Sequence, residues 1–202
     1  AIFAQAIAER VAEQIDGVVL PVVRYGYKSQ ARSGGGQTFT GTISVDGATL
    51  TTLVLDILRE LGRHGVKRCV VINGHYENKW FLTEAIELAQ REFKLQHQSM
   101  TVLRTEYWDF TPQHVYDNIF SGDFPGVDLE HAALIETSMM LYLHPEQVRK
   151  DLIPDHELAQ FEPLMQRIDP KAVVRLVAPE TADRESAAAA GQAPGEAGAG
   201  TA

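Results

Sequence analysis

VVINGHYENKW, residues 70–80, decides how the rest of the chain reads. Its opening residues complete a short, β-branched apolar run, CVVI at 69–72, that has the length and composition of a buried strand. The run empties at once into Asn73, Gly74, His75, Tyr76, Glu77 and Asn78. Asn78 is placed to cap a following helix whose apolar stripe is Leu82, Ala85, Ile86, Ala89 and Phe93. A strand that runs through a polar turn into an amphipathic helix is the repeating unit of a parallel α/β sheet.

The flanking segments repeat that unit. Residues 2–15 place Ile7, Val11 and Ile15 at four-residue steps, with Gly17 at a helix stop. GVVLPVV (17–23) reads as a first buried strand, followed by a Gly- and Ser-rich excursion through residue 47. From Asp46, a capping residue, Leu50, Leu53, Val54, Ile57 and Leu61 form a second helical stripe that stops before Gly65. A further strand, SMTVLRT (99–105), leads into TEYWDF (105–110). A helix is then expected from near Glu130 and His131 through LIETSMMLYL, closed by Pro145. This alternation predicts an α/β fold, a three-layer α/β/α sandwich around a mostly parallel central sheet. Ligands bind such sheets at the carboxyl ends of the strands. The polar residues after 23, after 72 and after 105 all fall there, which predicts one shared site. Residues 1–180 form the expected domain, and the Ala- and Gly-rich 181–202 is expected to be a disordered tail.

Composition narrows the class of partner. The 202 residues are 45% hydrophobic and 22% charged, which is ordinary globular material. Lys and Arg number 18 against 27 Asp and Glu, a net charge of −9, and no more than two basic residues are consecutive. That balance argues against nucleic acid or an anionic membrane and for a small-molecule substrate. The lone Cys69 cannot form an internal disulfide, so a cytoplasmic setting is the expectation. Neither a membrane span nor a signal peptide is legible. The chain starts with Ala rather than Met.

The chemistry concentrates in two groups. In extended backbone, residues two apart point to the same side, so His75 and Glu77 converge while Tyr76 points away. An imidazole beside a carboxylate suits zinc or manganese. A polar strand-end turn, with His75 bonded to backbone and Glu77 in water, has the same letters, and spacing alone leaves both readings open. The second group is Asp128, Glu130, His131 and Glu136 in DLEHAALIETS. His131 falls at the expected first turn of a helix and is suited to proton transfer near neutral pH. A capping turn accounts for the same pattern. SGGG (33–36) could cradle an anion but lacks the Lys-Ser or Lys-Thr ending of a phosphate loop. Tyr107 and Trp108 could wall a flat ligand or pack at a rim. His64, His97, His114, His144 and His156 have no partner at ligand spacing and carry no assigned role.

Taken together, YGYKSQARSGGG (25–36), F-x-G-T-x-S-x-DGATL (39–50), NGHYEN (73–78), YWDF (107–110) and EHAALIETS (130–138) resemble the creatininase (creatinine amidohydrolase) family over roughly residues 1–160. The resemblance implies a hydrolase with two divalent ions, zinc or manganese, that opens the cyclic amide of creatinine to creatine. It implies that His75 and Glu77 each ligate a metal, with Glu77 also acting on the water. Ser33, Tyr76, Asp128 and Glu130 would line the substrate pocket, Trp108 would wall it, and His131 would transfer the proton. It further implies a homo-oligomer, a hexamer. Two departures stand out. The family carries a tryptophan where this chain has Val127, which admits another cyclic amide or a formamide as substrate. Three further ligands, from an E-x-H segment and a later Asp, lie upstream of the first helix in the family. The chain therefore reads as an N-terminally incomplete copy lacking the first strand, and a catalytically incomplete binding or structural subunit is the alternative.

Overall fold

The computed structural model describes residues 1–29, 36, 39–109, 111–120, 124, 126 and 133–153, apart from the side chains of residues 118 and 119. Ser33, Val127, Asp128, Glu130, His131 and the 181–202 tail lie outside the described residues, as does the expected helix start near 130.

Five α-helices and two strands are described: α1 (Ile2–Ile15), α2 (Gly47–Arg63), β1 (Arg68–Asn73), α3 (Lys79–Leu95), β2 (Thr101–Glu106), α4 (Gln113–Ile119) and α5 (Leu134–Leu143). β1 and β2 pair in parallel, from Arg68 opposite Thr101 to Asn73 opposite Glu106. The β1–α3–β2 unit is the crossover expected from residues 70–80, and the fold is α/β. α2 and α3 pack on each other and on one sheet face. Leu50, Val54, Leu55, Leu58, Leu82, Ala85, Ile86, Ala89, Phe93, Met100 and Val102 form this core, with Cys69 and Val71 against it. On the opposite face Val70 and Leu103 are half exposed. α1 approaches the end of β1, where a Cβ on Gly74 would lie 3.4 Å from the Ala4 Cβ.

α3 buries all five residues of its expected stripe. The α2 stripe is turned from the expected one: Leu50, Val54, Leu55 and Leu58 are buried, whereas Leu53 is exposed. Leucines occur around much of this helix, so α3, rather than the spacing, selects the inward face.

Residues 17–23 are not a strand: they have no regular structure, and Val18 is 90% exposed. β-branched composition favours a pleated surface only where a ladder partner exists. Among the described residues the nearest pairing is a single parallel bridge, Tyr27 to Val45, with the Val45 N–H donating to the Gly26 carbonyl. α4 departs from the irregular stretch that its sequence suggests; Pro112 precedes its first turn.

Asp46 and Asn78 occupy the expected N-cap positions, but neither side chain caps. Asp46 instead lies 3.5 Å from the Lys28 ammonium. Gly47, just inside α2, is required sterically, because a Cβ there would sit 2.0 Å from Cε1 of Phe81. That ring is itself held 4.3 Å from the Tyr27 ring. Gly47→Ala gains up to ~1 kcal/mol of helix propensity. Displacing the ring outweighs it, and a net loss of about 1–3 kcal/mol is expected. An unchanged or raised urea midpoint would contradict this.

Burial pushes the Cys69 thiol up from its ordinary range. At pH 8 the folded protein is expected to alkylate at least about tenfold more slowly than the urea-unfolded chain, because less thiolate is present and access is reduced. Equal rates would show that Cys69 is not held against the core.

Candidate metal centre

The carboxyl end of β1 makes the site. His75 keeps an extended backbone (φ −152°, ψ 128°), but a 3-10 turn starts at Tyr76 and runs to Asn78. The expected extended run through 75–77 is therefore not what brings the pair together. The turn does so instead, and His75 Nε2 lies 3.1 Å from Glu77 Oε2. Glu77 is 2% exposed, so the alternative with its carboxylate in water does not hold. An imidazole against a buried carboxylate is a donor pair that fits a borderline divalent ion. Among the described residues no third His, Cys, Asp or Glu joins them in a cluster.

Three groups around this pair have no site role in the sequence pattern. Ser29 Oγ is 3.2 Å from His75 Nε2, so the polar loop after residue 23 does reach the site. Asn78, read as a cap, instead joins two segments. Its Oδ1 accepts from the Tyr27 N–H at 2.8 Å, and its Nδ2 donates to Asn73 Oδ1 at 3.2 Å. Gly26 permits that approach, because a Cβ there would lie 2.8 Å from Asn78 Oδ1. Asn73, 2% exposed, braces the turn: its Nδ2 donates to the His75 carbonyl at 2.7 Å, and its Oδ1 accepts from the His75 N–H at 3.1 Å. Both asparagines stand in the NGHYEN motif, but sequence gives no sign that their amides face each other.

The aromatic residues gather beside the turn. Tyr76 stacks on Trp108, with ring centroids 6.2 Å apart and planes at 26°. Tyr107 meets Trp108 edge-on at 4.7 Å and donates from its hydroxyl to Glu136 Oε1 at 3.2 Å. The Lys79 ammonium sits 3.7 Å from the centre of the Tyr76 ring. Tyr76 and Trp108 thus stand together at the carboxyl ends of both strands. Of the expected site residues, the structure brings together His75, Glu77, Tyr76 and Trp108, while Ser33, Asp128, Glu130 and His131 lie outside the described residues.

A parallel α/β fold with an imidazole–carboxylate pair and an aromatic wall at its strand ends defines a class of metal-capable α/β proteins. Comparison with known proteins narrows it. The profile of the creatininase family, described as creatinine amidohydrolase, matches residues 1–199, and the chain belongs to that family. It is 49% identical over 160 residues to a creatinine amidohydrolase of Pseudomonas putida, covering 78% of this chain and 62% of that protein. It is 30% identical over 171 residues to a mycofactocin precursor peptide peptidase of Mycolicibacterium smegmatis, covering 82% of this chain and 58% of the relative. The chain thus spans about three-fifths of the length of these curated relatives. A crystal structure of creatinine amidohydrolase matches with a TM-score of 0.77 at 36% identity, covering 91% of this chain and 81% of that one. A mutant creatininase complexed with creatine matches at 0.76 and 35% identity, covering 91% and 82%. A manganese form of creatininase matches at 0.73 and 38% identity, covering 92% and 82%.

Proposed function

We propose that this chain supplies His75 and Glu77 to the two-metal centre of an amidohydrolase that opens the cyclic amide of creatinine to creatine. The observation that carries the reading is the 3.1 Å approach of His75 Nε2 to the buried Glu77 carboxylate at the end of β1. Similarity to a creatinine amidohydrolase and to structures holding creatine and manganese supports it.

Bound zinc or manganese would supply Lewis acidity towards the ring carbonyl and activate water near neutral pH. Glu77, an acceptor when ionised, would hold the metal together with His75 and accept a hydrogen bond and a proton from the attacking water. Tyr76 and Trp108 stack on the planar ring, and Ser33, Asp128 and Glu130 complete the pocket. His131 delivers a proton to the departing ring nitrogen, which would otherwise leave as an anion. In the same reading the protein is a cytoplasmic homo-oligomer, a hexamer.

A second reading, hydrolysis of another amide, is favoured by the relative that acts on a peptide. The test is turnover of creatinine beside panels of formamides, cyclic amides and short peptides, after loading with zinc or manganese. Creatine as the dominant product, lost in His131→Ala by about 100-fold or more, supports the first reading. A faster rate on peptide or formamide supports the second. Less than one bound ion per chain with no turnover on any substrate points to a binding or structural subunit.

A further inference from the structure

Beneath the His75–Glu77 pair lies a buried charge to which the proposed reaction gives no role. Glu106, the last residue of β2, is 5% exposed. Register places it directly opposite Asn73, and alternation puts Asn73, Arg104 and Glu106 on the sheet face that α2 and α3 cover. One Glu106 oxygen accepts from Nη1 of Arg104 and the other from Nδ2 of Asn73. Its backbone N–H is fixed separately, donating to Asp109 Oδ2 at 2.8 Å.

We infer that Arg104 and Glu106 are positioning residues for His75, acting through the side-chain amide of Asn73. The inference rests on the reading of His75 as a metal ligand. An ionised carboxylate can only accept, so it admits Asn73 in one orientation, with Nδ2 towards Glu106. That orientation turns Oδ1 to the His75 N–H and to Asn78 Nδ2, while Nδ2 also reaches the His75 carbonyl. The reversed amide would point its own hydrogens at the His75 N–H and lose both bonds. A neutral side-chain amide at 106 could turn over and meet Asn73 in either direction, leaving the His75 backbone groups alone to favour one. The charge on Glu106 reinforces the direction that the His75 backbone favours, and Arg104, two residues earlier on the same face, pairs with that buried charge. Outer partners of this kind hold a ligand in the geometry a metal requires.

The test uses the full chain and the double variant Arg104→Met/Glu106→Gln, which removes both charges and keeps volume and an acceptor. Two quantities are read: hydrogen exchange at the backbone amides of His75 and of Ala89 in the α3 core, and zinc affinity by titration. His75 exchange is expected to rise about tenfold with Ala89 unchanged, and zinc binding to weaken about 10–100-fold. Should the double variant fail to fold, Glu106→Gln alone is read the same way, with the same local rise expected. Unchanged exchange at His75, or equal acceleration at His75 and Ala89, overturns the inference. A local rise with unchanged affinity, where His75→Ala abolishes zinc binding, overturns it too. If His75→Ala leaves zinc binding intact, the metal reading of the site fails, and the exchange response at His75 still decides whether Arg104 and Glu106 orient it.

Discussion

Glu77→Gln is expected to abolish high-affinity divalent-metal binding, weakening it by more than about 100-fold. Loss of an outer partner alone costs a metal site 10–100-fold, and loss of a ligand costs more. The substitution leaves the volume of the side chain nearly unchanged. It removes a charge that is 2% exposed and touches the His75 ring. In the metal-free protein the glutamine keeps an acceptor towards the His75 ring while a buried charge is removed. The two effects therefore separate: metal affinity falls while the apo melting temperature stays level or rises. Zinc titration and thermal melts with and without metal read both. A variant that loses stability without metal and keeps its affinity would show that Glu77 serves the fold and not a metal.

Asn73→Ala is expected to have the opposite profile, with a large loss of stability whether or not metal is present. Its amide serves Glu106, both backbone groups of His75 and the side chain of Asn78. Truncation leaves several buried polar groups unmatched, at about 1–3 kcal/mol each before relaxation. Water can enter the space, and a net loss of roughly 3 kcal/mol is expected. Chemical denaturation measures it, and a loss under about 1 kcal/mol would mean that solvent replaces the amide without difficulty. Asn73→Asp retains Oδ1 but sets a second carboxylate against Glu106, so it is expected to be no better tolerated than alanine.

The contrast between these residues shows what the sequence carries and what it does not. α3 and β1 were legible because their apolar spacing is local and one partner surface covers each. Residues 17–23 share the β-branched composition of β1 but remain outside the sheet, because strand formation depends on a ladder partner that composition does not name. The α2 stripe was displaced for a related reason: leucines on several sides leave the inward face to be chosen by packing. At the site, spacing correctly paired His75 with Glu77 but by the wrong geometry. A 3-10 turn, not an extended strand, sets the contact. Asn78 was recognised by position as a cap, yet its amide is engaged by the Tyr27 backbone from 51 residues away in sequence. Long-range hydrogen bonds of this sort leave no periodic trace. Glu106 stood in view within TEYWDF, and only the strand register shows that it faces Asn73.

The proposed chemistry requires His75 and Glu77 to share a metal centre. Crystals of the chain grown with zinc, with anomalous scattering recorded at the zinc edge, test this most directly. A zinc ion held by this pair gives an anomalous peak about 2.0–2.1 Å from His75 Nε2, with a Glu77 oxygen about 2.0–2.2 Å from a zinc ion. Zinc bound elsewhere, with His75 and Glu77 still facing each other across a metal-free contact, would contradict it.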